Sequence, residues 1–246
     1  MSTFTPVMAT SAQKIQSAKS LTGAFRLFIS FATPNILTTK IMLFVALRFF
    51  FEQITHLDLF IALAVGIYWP FQEWFLHKTV LHLKPRQIMG RRFDPMFAWR
   101  HRYHHCHPWV LETTFLPTGL IYSLIPIHVA AWFLVMPTPG LACTGIICFS
   151  ATTLLYEWVH YLTHSNYRPK SHWLRRVYRN HAMHHFKNEN YWFSFTVPWI
   201  DTAMRSAPEA SSVPQSETCR NLGVQDDDFD LPESCKESQP SQPSQP

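Results

Sequence analysis

One long stretch of the chain carries no charged side chain. Residues 113–156 contain no Asp, Glu, Lys or Arg, and this length is enough for two membrane spans of about 20 residues each. The Pro-Thr-Pro-Gly sequence at 137–140 interrupts the apolar pattern, because such a sequence breaks helices and forms turns. The pattern predicts a helical hairpin with spans near 115–136 and 140–160. A core hairpin of a soluble bundle is the alternative, but it would carry charges on its outer face.

Two more apolar stretches precede this hairpin. Residues 59–76 form a third span candidate, and residues 36–51 form a weaker fourth one. Lys40 and Arg48 are expected near the ends of the fourth, where long cationic side chains reach polar surroundings. Only 15% of all residues are charged, against about a quarter in an average soluble domain. The sequence therefore predicts an all-α, polytopic membrane protein with four transmembrane helices.

The positive charges predict the orientation of these spans. With four spans, residues 1–35, 77–112 and 161–246 lie on one side and contain most of the Lys and Arg residues. The opposite turns, near 52–58 and 137–139, contain none. By the positive-inside rule, the basic side is cytosolic. The net charge of +5 is not accompanied by a nucleic-acid-binding motif, so we expect the membrane and no nucleic acid as partner.

Composition divides the chain into three parts. Residues 36–205 are expected to form the membrane-embedded domain, and residues 1–35 an N-terminal tail without a cleavable signal peptide. Residues 206–246 are rich in Ser, Pro, Gln and acidic side chains, which predicts a disordered acidic tail.

Histidine is the unusual residue of this chain, because ten of the 14 fall into four short motifs. Residues three and four apart share one face of a helix, so each HxxHH motif can direct its three imidazoles to one locus. His77 and His82 lie about 140° apart on an ideal helix. They therefore serve two different ions, or the helix breaks between them. The motifs are His77 and His82; His101, His104 and His105; His160 and His164; and His181, His184 and His185.

Ten imidazoles suit two metal ions with about five nitrogen ligands each, or four and an open position. Imidazole favours Fe, Zn, Cu or Ni over Mg or Ca. A single histidine is more often a hydrogen-bonded core residue, but that does not explain four motifs together. We expect His56, His107, His128 and His172 not to be ligands.

The motifs, in this order, resemble those of the fatty acid hydroxylase/sterol desaturase superfamily of membrane di-iron oxygenases. The Tyr156-Glu157 pair before His160 makes the chain most similar to the fatty acid 2-hydroxylase branch, over about residues 70–202. The resemblance implies a four-helix membrane anchor under a cytosolic helical cap, and a reaction that inserts oxygen from O2 into an unactivated C–H bond with two electrons. It implies the metal ligands His77, His82, His101, His104, His105, His160, His164, His181, His184 and His185.

Three acids are candidates to orient the imidazole N–H groups of these ligands: Glu73, Glu157 and Asp201. Five aromatic residues line an acyl channel or pack the cap against the spans: Tyr103, Tyr161, Phe186, Trp192 and Phe193. The metals must be redox-active to reduce O2, which zinc cannot do. We therefore expect two Fe ions, which Zn can replace in purified samples.

The sequence departs from the branch after the last histidine motif. The branch has a Phe-Gly-Val-Thr-Ser-like run and a Trp-Asp pair, whereas residues 193–201 read Phe-Ser-Phe-Thr-Val-Pro-Trp-Ile-Asp. Ser165 also stands where the branch often has a histidine. Because of these departures, the resemblance does not identify the lipid substrate. Some relatives carry a fused haem domain with an HPGG motif, which is absent here, so a separate electron donor is expected, a b-type cytochrome or a ferredoxin with its reductase. The basic segments either dock this donor or bind anionic lipid headgroups.

These observations predict a membrane di-iron enzyme that hydroxylates an acyl carbon, such as C2, of a fatty acid or sphingolipid. A sterol or carotenoid hydroxylase or desaturase of the same superfamily is one alternative. A non-catalytic membrane metal carrier, or a zinc-stabilised scaffold, is another. The expected location is an integral membrane position with a cytosolic active site, in the endoplasmic reticulum of a eukaryote or the inner membrane of a bacterium. Targeting to an organelle is an alternative, because residues 1–40 are rich in Ser, Thr and Ala and contain no acidic residue.

Overall fold

The computed structural model describes residues 19–224, which are predominantly helical. A short antiparallel hairpin, with Arg86 paired to Phe93, forms the sheet of this part of the chain. The helices are α1 (Leu21–Phe28), α2 (Ala32–Arg48), α3 (His56–Phe75) with a π-helical continuation (Leu76–Leu81), α4 (Met96–Cys106), α5 (Thr118–Val135), α6 (Pro139–Thr163), α7 (His172–Phe186) and α8 (Trp199–Ala203). The strands are β1 (Arg86–Ile88) and β2 (Arg91–Phe93), and two 3₁₀ turns cover Leu111–Thr114 and Ala210–Ser212.

Three helical segments of the described chain are long and apolar enough to cross a membrane. They are His56–Leu81, Leu111–Val135 and Pro139–Thr163. Helices α1 and α2 together form a fourth candidate, but they are bent by 82° at the break between them. The prediction of a helical protein is confirmed, and the described residues contain three or four helical segments that could span a membrane.

Local sequence signals set the helix starts. Thr55 and Asp58 form a capping box at the start of α3, where the Thr55 amide donates to Asp58 Oδ2 over 2.8 Å. Thr138 caps α6 through its hydroxyl, and Pro139 occupies the first helical position, where its missing N–H is harmless. The predicted break at 137–140 is therefore the turn between α5 and α6.

Helix α6 is the centre of the bundle, with α2, α3 and α5 packed around it. Gly145 permits the closest approach, because a Cβ atom there would lie 2.2 Å from Cε3 of the Trp132 indole. At the end of the bundle remote from the ten motif histidines, Arg48 donates to Asp58 Oδ1 over 2.9 Å and to Thr144 Oγ1 over 3.2 Å. This ion pair is buried and joins α2, α3 and α6.

The expected position near an end of α2 was right for Arg48 and wrong for Lys40. The helix begins at Ala32 rather than near residue 36, so Lys40 lies in its middle. Arg48 is at the helix end, but it is buried in the ion pair with Asp58 and does not extend to the surface. The physical reason is a local partner: a buried charge is tolerated where an opposite charge and hydrogen bonds meet it.

The boundaries of both predicted tails differ from the structure. Residues 21–28 form α1, whose Ala24 is buried and accepts a hydrogen bond from the Tyr161 hydroxyl over 3.1 Å. Residues 206–224 return to the histidine motifs, and the Ser206 hydroxyl accepts a 2.8 Å hydrogen bond from the Trp74 indole. Few apolar residues and no periodicity mark this segment, so composition alone does not predict its contacts. The expectations for residues 1–18 and 225–246 lie outside the described residues.

Candidate metal centre

The structure brings all ten motif histidines together in two adjacent groups of five. Within each group, one nitrogen from every ring lies within 4.8 Å of the others. The His105 and His185 rings, one from each group, are stacked with centroids 4.1 Å apart. We call them the first and second histidine groups: His77, His82, His101, His105 and His184; and His104, His160, His164, His181 and His185.

His77 and His82 reach the same group because the chain between them is a π-helix. A π-helix bonds residues five apart, so residues i and i+5 follow one another on one face. The His77 and His82 ring centroids are accordingly 5.2 Å apart. The expectation that they serve two different ions was wrong, and the alternative, a departure from regular α-helix between them, is what the structure shows.

Each HxxHH motif is divided between the two groups. His101 and His105, four residues apart, enter the first group, while His104 enters the second. The motif on α7 mirrors this division, with its i, i+4 pair in the second group and His184 in the first. The prediction of one locus for each motif was therefore wrong. Adjacent residues diverge by about 100° around a helix, which is enough to separate neighbouring imidazoles between two closely spaced centres.

Backbone carbonyls fix the orientation of four rings. The Nδ1 atoms of His77 and His105 lie 2.5 and 2.9 Å from the carbonyl oxygens of Phe193 and Cys219. The other two contacts are His160 Nδ1 to Thr114 O, at 2.7 Å, and His184 Nδ1 to Tyr191 O, at 2.8 Å. A carbonyl only accepts, so each Nδ1 carries the proton and each Nε2 presents a lone pair.

The unpaired nitrogens fit a metal. Among residues 19–224, the Nε2 atoms of His82, His104, His160 and His184 are buried without a hydrogen-bond partner. Others approach one another directly, with His77 Nε2 at 3.2 Å from His101 Nε2 and His164 Nε2 at 2.6 Å from His181 Nε2. Buried polar atoms without partners are rare, and convergent lone pairs are the arrangement that a cation stabilises. The donor set therefore fits two ions held by five imidazoles each.

Burial favours the neutral form of the imidazoles on α4 and α7, the histidine-bearing helices outside the candidate spans. The pKa values of His101, His104, His105, His181 and His185 lie well below the usual histidine range, because burial and neighbouring imidazoles disfavour the cation. Burial lowers the pKa of His184 to about 4. Neutral imidazole is the form that binds metals.

The three acids stabilise loops rather than imidazoles. Glu73 Oε1 accepts hydrogen bonds from the backbone amides of Phe195, at 2.5 Å, and Thr196, at 3.0 Å. Asp201 accepts from the amides of Phe193 and Ser194 at 2.9 and 2.8 Å. The expected contact with imidazole N–H was therefore wrong for both, because the Phe193 carbonyl occupies that position at His77.

Glu157 also acts through a loop. Its Oε1 accepts from the Leu116 amide over 2.9 Å, two residues after Thr114, whose carbonyl contacts His160 Nδ1. It therefore does not contact that imidazole nitrogen directly. The sequence identified the three acids as neighbours of the site, but the carbonyls that contact the rings carry no side-chain signal.

An apolar cavity of about 520 Å³ lies between the spans and reaches the centre. It is lined by Glu73, His77 and Tyr156 at the histidine end and continues to Lys40, His128 and Phe149. The five aromatic residues considered for an acyl channel are not among its lining residues. They pack instead: Tyr103 stacks on Trp99, Tyr161 on Phe115 and Phe186 on Trp109. Phe193 lies edge-on to His77, and Trp192 is buried beside it in the chain.

The four other histidines, His56, His107, His128 and His172, lie outside both groups, as predicted. One of them nevertheless has a polar setting that sequence reasoning did not foresee. His128 contacts Lys40 Nζ and the Trp132 indole N–H within the cavity region. A lysine inside one apolar span and a single histidine inside another were the available sequence signal.

A helical membrane protein with two buried clusters of five imidazoles is the class that fold and site define. The profile of the Fatty acid hydroxylase family matches residues 62–206, more than half of the chain. The chain therefore belongs to the fatty acid hydroxylase family.

One curated relative is the "Dihydroceramide fatty acyl 2-hydroxylase FAH1" of Arabidopsis thaliana, 26% identical over 148 residues. The match covers 58% of this chain and 59% of that protein, so the chain spans less than two thirds of the relative's length. A solved structure, "Full length scs7p (only hydroxylase domain visible)", superposes with a TM-score of 0.61 at 18% identity, covering 75% of this chain and 68% of that chain. This structure supports the fold. Together the matches confirm the resemblance to the superfamily and its 2-hydroxylase branch.

Proposed function

We propose that this protein is an iron-dependent lipid hydroxylase of the membrane. One observation carries the proposal: two adjacent groups of five imidazoles, nine of them buried and His82 partly buried, lie at the end of an apolar cavity between candidate membrane helices. The first group meets the cavity through His77, which belongs to both. A hydrocarbon chain in this cavity would present its C–H bonds to the metal centre.

The ten histidines would hold two iron ions, and iron at such a site supplies the activation of O2. One oxygen atom enters the C–H bond and the other leaves as water, while two electrons and two protons balance the reaction. Zinc binds imidazole as well as iron does but has no redox chemistry, so zinc found in a purified sample would be a substitute.

The residues of the chain position the ligands and exclude water. Carbonyl contacts hold the rings at Nδ1, and the loop from Phe193 to Thr196 is held by Glu73 and Asp201. Because the imidazoles are neutral, the net charge of a loaded centre would come from the metal ions. A dry, apolar wall protects a reactive oxidant from water and fixes which methylene is attacked.

We propose a lipid with a linear acyl chain, a fatty acid or an acyl group of a sphingolipid, as the substrate. The support is the cavity, whose walls are predominantly apolar between Tyr156 and Phe149, and the name of the Arabidopsis relative. The oxidised carbon is the one that lies beside His77 when the chain is seated.

The electrons come from a separate protein, a b-type cytochrome or a ferredoxin with its reductase. Exposed cations on α7 and on the loop before it offer a docking surface for an acidic carrier: Arg168, Lys170, Arg175, Arg176 and Arg179. Because ion pairs at a surface are screened by salt, added salt should slow reduction of the protein by its carrier. A rate independent of salt would contradict docking and leave these residues as contacts for anionic lipid headgroups.

The same cations support the orientation in the membrane. They lie on the same side of the spans as the histidine-bearing helices α4 and α7, and the turn at 136–138 on the other side has no Lys or Arg. We propose that the histidine groups form a helical cap on the cytosolic face of four spans, with α1 and α2 as the fourth. The membrane is the endoplasmic reticulum in a eukaryote and the inner membrane in a bacterium.

Lipid mass spectrometry under 18O2 tests the function. Cells expressing the wild type are compared with cells expressing the double variant His181→Ala/His185→Ala, and with His172→Ala, an exposed histidine outside both groups, as the matched control. The expected result is a labelled hydroxyl group on acyl chains in the wild type and the control, and none in the double variant.

The other outcomes are equally informative. A lipid product that has lost two hydrogens and carries no 18O would show desaturation instead of hydroxylation. An 18O label on sterols or carotenoids would show that the substrate is not an acyl chain. Iron-loaded protein with a reducing system could also leave fatty acids, sphingolipids, sterols and carotenoids all unchanged. That result would contradict the proposal of an enzyme and favour a metal carrier or a scaffold.

A further inference from the structure

The cavity contains an ionisable pair far from the histidine groups. Lys40 is in the middle of α2 and His128 is on α5, and their Nζ and Nδ1 atoms lie 2.8 Å apart. Both residues line the cavity that reaches His77. Ionisable side chains in the middle of membrane spans are destabilising, and they usually mark a functional site.

The hydrogen bonds of this pair leave it with fewer acceptors than donors. The Trp132 indole N–H donates to His128 Nε2 over 3.0 Å, so the proton of a neutral imidazole is on Nδ1. A lysine ammonium group only donates. A neutral His128 imidazole therefore has one acceptor nitrogen for two donors, the Trp132 indole N–H and the Lys40 ammonium group. Among residues 19–224, no carboxylate forms an ion pair with Lys40. A ligand oxygen, and above all an anionic one, would accept from both groups and balance the charge.

The pair lies at a defined distance from the metal centre. Phe149 of α6 contacts His128, with ring centroids 4.8 Å apart, and His160 follows eleven residues later on the same helix. At 1.5 Å per residue, these two levels are about 16 Å apart along the helix axis. An extended chain of tetrahedral atoms advances roughly 1.2 Å per bond, as the polypeptide backbone does, so about a dozen bonds span the interval. The volume of about 520 Å³ is within the range of small-ligand sites, about 300–1,000 Å³.

We propose that Lys40 and His128 bind the carboxylate of a long-chain free fatty acid, whose hydrocarbon chain follows the cavity to His77. The inference rests on the proposed function and specifies its substrate and regiochemistry. The hydroxyl group enters about a dozen bonds from the carboxylate and not at C2, because a carbon next to the carboxylate would lie at the wrong end of the cavity. Lys40 and His128 are thus specificity-determining residues of the lipid site.

Binding of radiolabelled hexadecanoate to the purified full-length protein in nanodiscs of uncharged lipid tests the carboxylate site without turnover. Lys40→Met should weaken binding at least about tenfold, because a charge-assisted hydrogen bond and its counter-charge are lost. His128→Phe, which keeps the ring volume, should weaken it in the same direction. Thr39→Met, on the exposed face of α2 next to Lys40, is the matched control and should bind as the wild type does. Thermal unfolding of each variant separates loss of the site from loss of the fold.

Hexadecanol and n-hexadecane complete the binding experiment. The alkane should bind the wild type and Lys40→Met equally, since it lacks the oxygen. Binding of hexadecanoate that is unchanged in both folded variants would overturn the proposal. Hexadecanol that binds as tightly as hexadecanoate, with the same dependence on Lys40, would overturn the assignment of a carboxylate.

The position of the product hydroxyl separates this inference from the proposed function. With iron, O2 and a reducing system, the wild type should hydroxylate hexadecanoate about a dozen bonds from the carboxylate, and Lys40→Met should lose this positional preference. A 2-hydroxy product formed equally by both proteins would overturn the inference and leave the hydroxylase intact. No product on any lipid class would overturn the proposed function, while the binding experiment still decides whether Lys40 and His128 hold a carboxylate.

Discussion

His77 and His82 are five positions apart, yet their ring centroids lie 5.2 Å apart, edge to face, in the same histidine group. An α-helix would place them about 140° apart. The π-helical segment Leu76–Leu81 removes this difference at the point where α3 meets the metal centre. The irregularity therefore places a pair of imidazoles in one group at the end of a candidate membrane span, and π-helical turns occur frequently at functional sites.

His82→Ala should remove one of five ligands from the first group and leave the second group complete. We expect the metal affinity of the first site to fall by more than the ~10- to 100-fold that loss of an outer hydrogen-bond partner causes. Metal analysis at limiting free iron should then give close to one ion per chain. His172→Ala, exposed and outside both groups, should retain two. Two tightly bound ions in His82→Ala would disprove the grouping.

Glu73→Gln tests whether a carboxylate supports the centre through a loop. The substitution preserves volume but replaces one acceptor oxygen by an NH₂ group, which cannot accept from the Thr196 hydroxyl or the backbone amides. Loss of a hydrogen bond to a buried charged group reduces the free energy of unfolding by about 2 kcal/mol. Because the same loop carries the Phe193 carbonyl, metal affinity at the first group should fall about 10- to 100-fold.

The matched control for this carboxylate is Glu209→Gln, an exposed position where the same change should alter neither quantity. Chemical denaturation and iron titration measure the two effects. A Glu73→Gln protein that is less stable but binds iron normally would assign Glu73 to the fold alone.

Gly145→Ala tests the packing of α5 on α6. The added methyl group would overlap the Trp132 indole, whose N–H also contacts His128, so either the indole or the helix must move. Overpacking of this kind reduces the free energy of unfolding by about 1–3 kcal/mol.

Gly66→Ala is the control for the packing experiment, because a Cβ atom there meets no atom within 4 Å. Replacing this helical glycine should leave stability unchanged or raise it by about 0.5–1 kcal/mol. Thermal unfolding in the same detergent compares the two variants. Equal melting temperatures would contradict the close contact at Gly145.

Residues 206–224 are predicted to support the first histidine group. The segment supplies the Cys219 carbonyl to His105 Nδ1 and the Ser206 hydroxyl to the Trp74 indole. A chain that ends after Arg205 should therefore bind the first ion about 10- to 100-fold more weakly than a chain that ends after Val224. Iron titration of both proteins measures the difference. Equal affinities would show that these contacts are not needed for metal binding.

The sequence by itself determined the apolar helices and the residue types of the candidate site. The uncharged stretch at 113–156 and the Pro-Thr-Pro-Gly break predicted the hairpin of α5 and α6, because solvation of charge and the geometry of proline are local properties. The ten histidines of the four motifs predicted a site with about five imidazoles per ion, and the structure brings the same ten residues together. These features were readable because each depends on residues close together in the chain.

Only the tertiary structure decided how those ligands are shared and supported. The π-helix places His77 and His82 in one group. The division of each HxxHH motif between the two groups depends on which other histidines lie beside each of its imidazoles. The acids hold loops because backbone carbonyls from distant segments already occupy the imidazole Nδ1 positions, and a carbonyl has no sequence signal. The Lys40–His128 pair joins residues 88 positions apart. The role proposed for this pair depends on the relative positions of two helices, the cavity and the histidine groups. Long-range packing around α6 sets those positions.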